Sequence, residues 1–218
     1  SFMTVKPPDF GGKPYRSLDY HLRNRYGEKI YKVSLDGGMT CPNRDGTLGK
    51  CGCIFCSEGG SGDFAGDRTH PVHQQIEEQK TRLSPKFPAT HFIAYFQAYT
   101  NTYGELESLK RKYEEALAVD GVVGLVIGTR PDCMPDDLLR YLENLNKHTF
   151  LLVEYGIEST RDETLCRINR GHTFQVTVNA VERTAACGIL TGGHVILGLP
   201  GETHRSIVAQ AKDLSRLP

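Results

Sequence analysis

Five short apolar runs, separated by longer stretches of helix-like sequence, restrict this chain to a small set of architectures. The runs are residues 30–35 (IYKVSL), 91–97 (HFIAYFQ), 122–127 (VVGLVI), 150–155 (FLLVEY) and 190–197 (LTGGHVIL). Residues 70–83, 104–119, 135–146, 173–187 and 203–217 instead carry their apolar side chains at helical spacing. Strands apolar along their whole length are buried on both faces, and a helix between each pair of strands returns the chain so that all strands run the same way. The expectation is an α/β fold, a parallel sheet covered by helices. Pro135, Asp136 and Asp137 open one helix as an N-terminus favours, and Glu202 with Thr203 make an ordinary start for another. Five βα units fall short of a closed barrel, which takes eight and about 250 residues.

The 218 residues, 39% of them hydrophobic, suit one soluble domain with a sizeable core, and no apolar run approaches the roughly 20 residues of a membrane span. Lys plus Arg equals Asp plus Glu at 26 each, so overall charge selects no partner. The amino-terminal segment differs. Lys6, Lys13, Arg16, Arg23, Arg25, Lys29 and Lys32 face Asp9, Asp19 and Glu28, seven against three and an excess of four. Such a segment suits phosphate, although a solvated basic face is the ordinary role of any single residue in it. Residues 1–29 are therefore read as a basic extension and 30–218 as the core domain. Ser1 and Phe2, ahead of Met3, read as an addition outside the fold.

Chemistry concentrates in residues 40–66, TCPNRDGTLGKCGCIFCSEGGSGDFAG, the loop that leaves the first strand. It holds Cys41, Cys51, Cys53 and Cys56, four of the seven cysteines, and seven glycines, which suits backbone wrapped closely around a bound group. Three chemistries compete for the thiols. A disulfide framework fits poorly with an odd cysteine count, no signal peptide and a chain large enough for an ordinary core. Structural zinc has a good knuckle in Cys53-Ile54-Phe55-Cys56 but lacks a second C-x2-C pair, since Cys133, Cys166 and Cys187 stand singly and far away. An iron-sulfur cluster uses the same C-x2-C bite. With Cys41, Cys53 and Cys56 as ligands the pattern is C-x11-C-x2-C, and one iron of a four-iron cube keeps an open position.

A strand followed by CPNRDGT and GCIFCSEGGSGDFAG resembles the TIM-barrel branch of the radical S-adenosylmethionine (SAM) enzymes, and within it the YtqA-like subfamily. The resemblance runs from about Tyr15 onward. It implies a partial (βα) TIM-type barrel of six units, a 4Fe-4S cluster on Cys41, Cys53 and Cys56, and SAM on the open iron. Cys51 is then the surplus thiol, standing where relatives carry glycine. Because the chain stops at Leu217-Pro218, where a sixth strand is due, a longer protein is expected.

Function in such a fold collects at the carboxyl ends of the strands. The second strand ends in Gln97-Ala98-Tyr99-Thr100-Asn101. Many members of the superfamily carry a Gly-Gly-Glu turn here for the SAM amino group. Gln97, Tyr99 and Asn101 are the replacements this chain offers, beside a purely structural turn. The third strand ends in Gly128-Thr129-Arg130-Pro131-Asp132, either a carboxylate or ribose clamp or a turn in which Asp132 caps the next helix. The fourth continues as Glu154-Tyr155-Gly156-Ile157-Glu158, with Arg170 beyond, and resembles the coproporphyrinogen-dehydrogenase and Elongator branches. That resemblance implies that Glu158 contacts SAM and that Arg170 pairs with its carboxylate. Glu154 interrupts an apolar strand, where an unpaired carboxylate is costly. His172 reads as a local cap. The fifth strand leads into Gly198-Leu199-Pro200-Gly201-Glu202, the family's G-x-P-G-E turn, so Gly198 and Pro200 are expected against the SAM adenine. His194 stands where related branches often have aspartate for the ribose, which makes it either a replacement or a substrate-facing residue.

The reading implied is a cytoplasmic radical SAM enzyme supplied by an electron donor such as ferredoxin or flavodoxin. The subfamily and its Elongator relatives imply transfer RNA (tRNA) as substrate, at the C5 side chain of a wobble uridine. A zinc-stabilised nucleotide-binding protein, a cluster-bearing scaffold without SAM, and a radical SAM enzyme acting on a small molecule are the alternatives.

Overall fold

The computed structural model describes residues 9–86 and 89–218; Lys6 and the Ser1-Phe2 pair lie outside the described residues. The apolar runs form five strands, β1 (Tyr31–Leu35), β2 (Phe92–Phe96), β3 (Val122–Thr129), β4 (Phe150–Glu158) and β5 (Leu190–Val195). All neighbours pair in parallel, in the order β1-β2-β3-β4-β5, and the sheet is not closed. This is the expected α/β architecture. The described residues contain no sixth strand. The helices are α1 (Leu18–Tyr26), α2 (Val72–Leu83), α3 (Leu106–Leu117), α4 (Asp136–Asn146), α5 (Asp162–Arg167), α6 (Phe174–Ala186) and α7 (His204–Leu214), none long and apolar enough to cross a membrane.

Alternation along the strands separates two apolar layers. Val33, Leu35, Ala94, Phe96, Leu125, Ile127, Leu151, Val153 and Tyr155 face outward and bury Ile76, Tyr113, Leu138, Leu142 and Val181 of the covering helices. The opposite, lumen face carries Ile93, Val126, Phe150 and Leu152 near the amino ends of the strands, packed with Leu22 and Ile30. The free edge of β1 is satisfied by glutamines of α2. Ser34 N donates to Gln79 Oε1 (2.9 Å), Asp36 N to Gln75 Oε1 (3.0 Å), and Gln75 Nε2 to Asp36 O (2.8 Å), which blunts an edge that would otherwise invite pairing.

Two helices were not foreseen. α1 lies within the segment read as a basic extension, is capped by Ser17 Oγ on Tyr20 N, and buries Leu22 in the lumen layer. One buried side chain in nine residues is too sparse a pattern to show periodicity, so the packing it meets decides its structure. α5 spans six residues, fewer than two turns. β4 runs past Tyr155 to Glu158 because β5 continues to pair with it, through a register shift between Gly156 and Glu158. Asp132 does not cap α4: the N-cap is Pro135, and Asp132 is held by Arg130 instead.

Candidate functional site

The loop after β1 turns at once on its first cysteine, with Arg44 N and Asp45 N both donating to Cys41 O, and closes its C-x2-C bite through Cys56 N to Cys53 O (3.1 Å). Cys41, Cys53 and Cys56 line one cavity of about 330 Å³ at the carboxyl ends of the strands; Cys51 is exposed and does not line it. Arg44 fastens the far side of the loop by donating to Cys56 O (3.3 Å), Ser57 O and Glu58 O (3.4 Å). Its guanidinium and that of Arg68 sit over the Tyr99 ring at 5.8 and 5.1 Å. Tyr99 holds a left-handed backbone (φ 62°), and its hydroxyl donates to Glu58 O (2.7 Å). Gly60 lies flat on this ring, where a Cβ would come within 2.5 Å of a ring carbon.

Gln97 lines the cavity, and its Nε2 donates to Ser61 O (3.1 Å). Tyr99 lines it too. Asn101 does not, because its Nδ2 is engaged by Phe96 O (3.0 Å) and Gly128 O (2.8 Å), tying β2 to β3.

Glu158, Arg170 and Arg130 form the charged wall. Glu158 has a left-handed backbone (φ 65°) at the end of β4. Burial raises its pKa above the ordinary value, with Arg170 opposing. Arg170 Nη2 donates to Gly156 O (2.7 Å) and lies 3.8 Å from Glu158 Oε1, while Nη1 is 3.5 Å from Cys53 Sγ. Gly156 is required by this approach, since a Cβ there would lie 2.6 Å from Glu158 Oε1 and 2.7 Å from Arg170 Nη2. Arg130, at the end of β3, grips Asp132 with two parallel contacts of 2.9 Å and donates to Arg170 O (2.8 Å). Burial works against ionisation of Asp132, but Arg130 prevails and its pKa lies below the ordinary value. Both arginines are buried, and each keeps one donor, Arg130 Nη1 and Arg170 Nε, without a partner among the described residues. A buried donor left unpaired costs about 1–3 kcal/mol. Two in one cavity point to an anionic group as its natural occupant.

Below this wall, Glu154 accepts from His194 Nε2 (2.8 Å), with the Tyr95 phenol close by, and all three line the cavity. Glu154 is therefore paired, as the sequence required of it. Gly198 and Pro200 are not among the lining residues. They belong to the turn beyond β5, where Glu202 Oε2 accepts from Gly198 N (2.9 Å) and Leu199 N (3.0 Å). Thr203 caps α7 through a reciprocal box with Ser206. His172 Nδ1 donates locally to Thr173 O (3.0 Å), and burial with the nearby Arg170 charge pushes its pKa down to about 4.

No three His, Cys, Asp or Glu side chains among the described residues converge as an assembled site for a single metal ion. A cube of four irons spreads its thiolates more widely than one zinc does. The sequence profile of the Radical SAM superfamily matches residues 40–214, which span every element of this cavity. The chain belongs to the radical SAM superfamily. Members of that family use a 4Fe-4S cluster and SAM, and the cofactors expected of this chain are those. The residues present fit them: three thiols share the cavity, and the two unpartnered guanidinium donors suit a carboxylate and an anionic cluster.

The chain is 47% identical over 205 residues to the uncharacterized protein YtqA of Bacillus subtilis strain 168, covering 94% of this chain and 64% of that protein. The chain thus spans less than two thirds of that relative's length. Among solved structures it resembles Elp3 of the archaeon Methanocaldococcus infernus, with TM-score 0.59 and 18% identity over 84% of this chain and 42% of that one. It also resembles coproporphyrinogen III oxidase (HemN) of Escherichia coli, a radical SAM enzyme, with TM-score 0.57 and 17% identity over 87% of this chain and 42% of that one. At these identities the two likenesses describe the fold.

Sequence reasoning singled out the thiols, Gln97, Glu158, Arg170 and His194. It noted Arg130 as a clamp without placing it in the site, and it missed Tyr95. The available signal for Tyr95 was alternation, since it shares a strand face with Gln97.

Proposed function

We propose that this chain is the catalytic core of an enzyme that removes a hydrogen atom from the C5 side chain of a wobble uridine in tRNA. The observation that carries the reading is one cavity in which three thiols stand beside two buried guanidinium donors without partners. In this reading Cys41, Cys53 and Cys56 hold the 4Fe-4S cluster, and Cys51 takes no part. Arg170 receives the SAM carboxylate beside Glu158, and Gln97 with Tyr99 faces the amino group. The adenine lies at the exit of β5, where Val195 and Ile196 line the cavity and Gly198 and Pro200 form the turn beyond. When bound, the reduced cluster and SAM supply a 5'-deoxyadenosyl radical, which takes hydrogen from carbon.

The chain's own residues do the holding. Arg44 and Tyr99 fix the cysteine loop, and Arg130 and Arg170 supply fixed positive charge. The electron comes from a small cytoplasmic donor such as ferredoxin or flavodoxin. Resemblance to the YtqA-like and Elongator branches supports tRNA as the substrate.

The test uses the full-length protein, reconstituted anaerobically, and cells with and without its gene. The expected results are a brown protein with four irons and four sulfides that binds SAM, and a wobble-uridine derivative altered in tRNA from the deleted strain. Zinc without sulfide would remove the radical reading. Identical tRNA nucleosides in the two strains would remove the tRNA reading and leave the cofactors standing.

A further inference from the structure

The upper wall of the cavity carries thiols and guanidiniums, but its floor is a separate group. Tyr95, Glu154 and His194 come from β2, β4 and β5 and meet inside the partial barrel. His194 Nε2 lies 2.8 Å from Glu154 Oε2, and the Tyr95 phenol lies close to the same carboxylate. Lys32 of β1 stands 4.7 Å from the centroid of the Tyr95 ring. Glu154 is nearly enclosed, whereas the His194 side chain is 61% exposed and lines the cavity. With Nε2 committed to a carboxylate the tautomer is fixed. Nδ1 is the ring atom left for a ligand, and it has no hydrogen-bond partner among the described residues.

This arrangement does not look like the lining of a nucleoside cofactor's ribose. Two hydroxyls there are best met by a carboxylate, and here the carboxylate is already engaged by an imidazole, with a phenol beside it. We propose that Tyr95, Glu154 and His194 form the substrate-contacting floor, in which His194 Nδ1–H donates to a carbonyl oxygen flanking the reacting carbon. Glu154 and Tyr95 are positioning residues for that imidazole. The proposal rests on the uridine reading and deepens it: a pyrimidine substituted at C5 carries its O4 acceptor immediately beside that substituent. A donor on O4 would fix the side chain in line with the abstracting group, and misplacement by about 1 Å costs on the order of 100-fold.

The protonation of His194 gives the contact a sign. Its pKa is raised, chiefly by the hydrogen bond to Glu154, with burial opposing; the charge of Glu158 also raises it and that of Lys32 lowers it. Tyr95 stays a neutral phenol, since burial and the Glu154 charge push its pKa up. Nδ1 donates only while the ring is protonated, so the contact exists below the raised pKa and disappears as pH rises through it.

The experiment gives the full-length reconstituted enzyme SAM and bulk tRNA from gene-deleted cells. It measures altered nucleoside formed per 5'-deoxyadenosine as pH is raised. The parent is expected to hold a high ratio that falls on an alkaline limb. Glu154→Gln keeps shape but removes the charge, so the limb moves to lower pH and the ratio drops about tenfold or more. Tyr95→Phe removes the hydroxyl beside the carboxylate and moves the limb the other way. Unmoved limbs and ratios in both variants overturn the proposal while leaving the uridine reading intact. So does weakened SAM binding with an unchanged ratio, which would make His194 a cofactor contact. A parent enzyme indifferent to tRNA overturns the uridine reading and this inference with it.

Discussion

Near the amino ends of the strands the lumen is filled by Ile93, Val126, Phe150 and Leu152, with Leu22 and Ile30 pressed against them. Tyr95, in register with Val126, borders this layer, and higher along the strands the lumen carries Gln97, Glu154 and His194. Both sets lie on the same face, so alternation alone does not distinguish them. Height along the strand does. At the amino end Leu22 of α1 packs across the lumen, where an unpaired polar group would be costly, so apolar filling is the stable solution. At the carboxyl end the loops leave room for a ligand, and buried charge persists there because each carboxylate has a partner. One end contributes stability and the other holds the chemistry.

The comparison would break most completely at the thiols. Cys41→Ala, Cys53→Ala or Cys56→Ala is expected to abolish the iron and sulfide content and visible absorption of the reconstituted protein, whereas Cys51→Ala retains both. A full iron complement in Cys53→Ala would defeat the ligand assignment. At the opposite end, Phe150→Ala empties a fully buried site and is expected to cost about 3–5 kcal/mol of unfolding free energy. Denaturant melts measure this, and SAM affinity of the folded fraction should be unchanged.

Arg170→Lys keeps the charge but loses the planar fork, so SAM binding is expected to weaken by about 1.5–3 kcal/mol on calorimetry. Binding equal to the parent's would make Arg170 a structural residue. The smallest effect is predicted for Arg23→Glu. Arg23 pairs with Asp19 at 2.9 Å on the exposed side of α1, a contact worth about 0–1 kcal/mol. Because α1 packs at the amino end, away from the cavity mouth, the salt dependence of tRNA binding should hardly change. A clearly flatter slope would mean that this face touches phosphate after all.

The strands and most helices were legible in the sequence because their apolar spacing reflects burial on one face or two. Residues 122–127 are apolar because both faces of β3 are covered. The cysteine loop was legible because a C-x2-C bite is a local property of the backbone. α1 was not, since it is held by Leu22 meeting residues such as Phe150 that lie far along the chain.

Glu154 shows where the two kinds of information part. A carboxylate in an apolar strand announced by itself that a partner must exist, because burial without one is too costly. Which partner was settled by the register of β4 with β5, which sets Gly156 opposite His194 and brings that imidazole within 2.8 Å of Glu154 Oε2. The same holds for Arg130 and Arg170. Their types and loop positions are written in the chain, but that each keeps an unpartnered donor in the same cavity as Cys41, Cys53 and Cys56 depends on how β3 and β4 lie side by side. Spacing along the chain encodes local geometry and burial. Contacts between separate strands depend on the register and closure of the sheet, which arise from the packing of the whole.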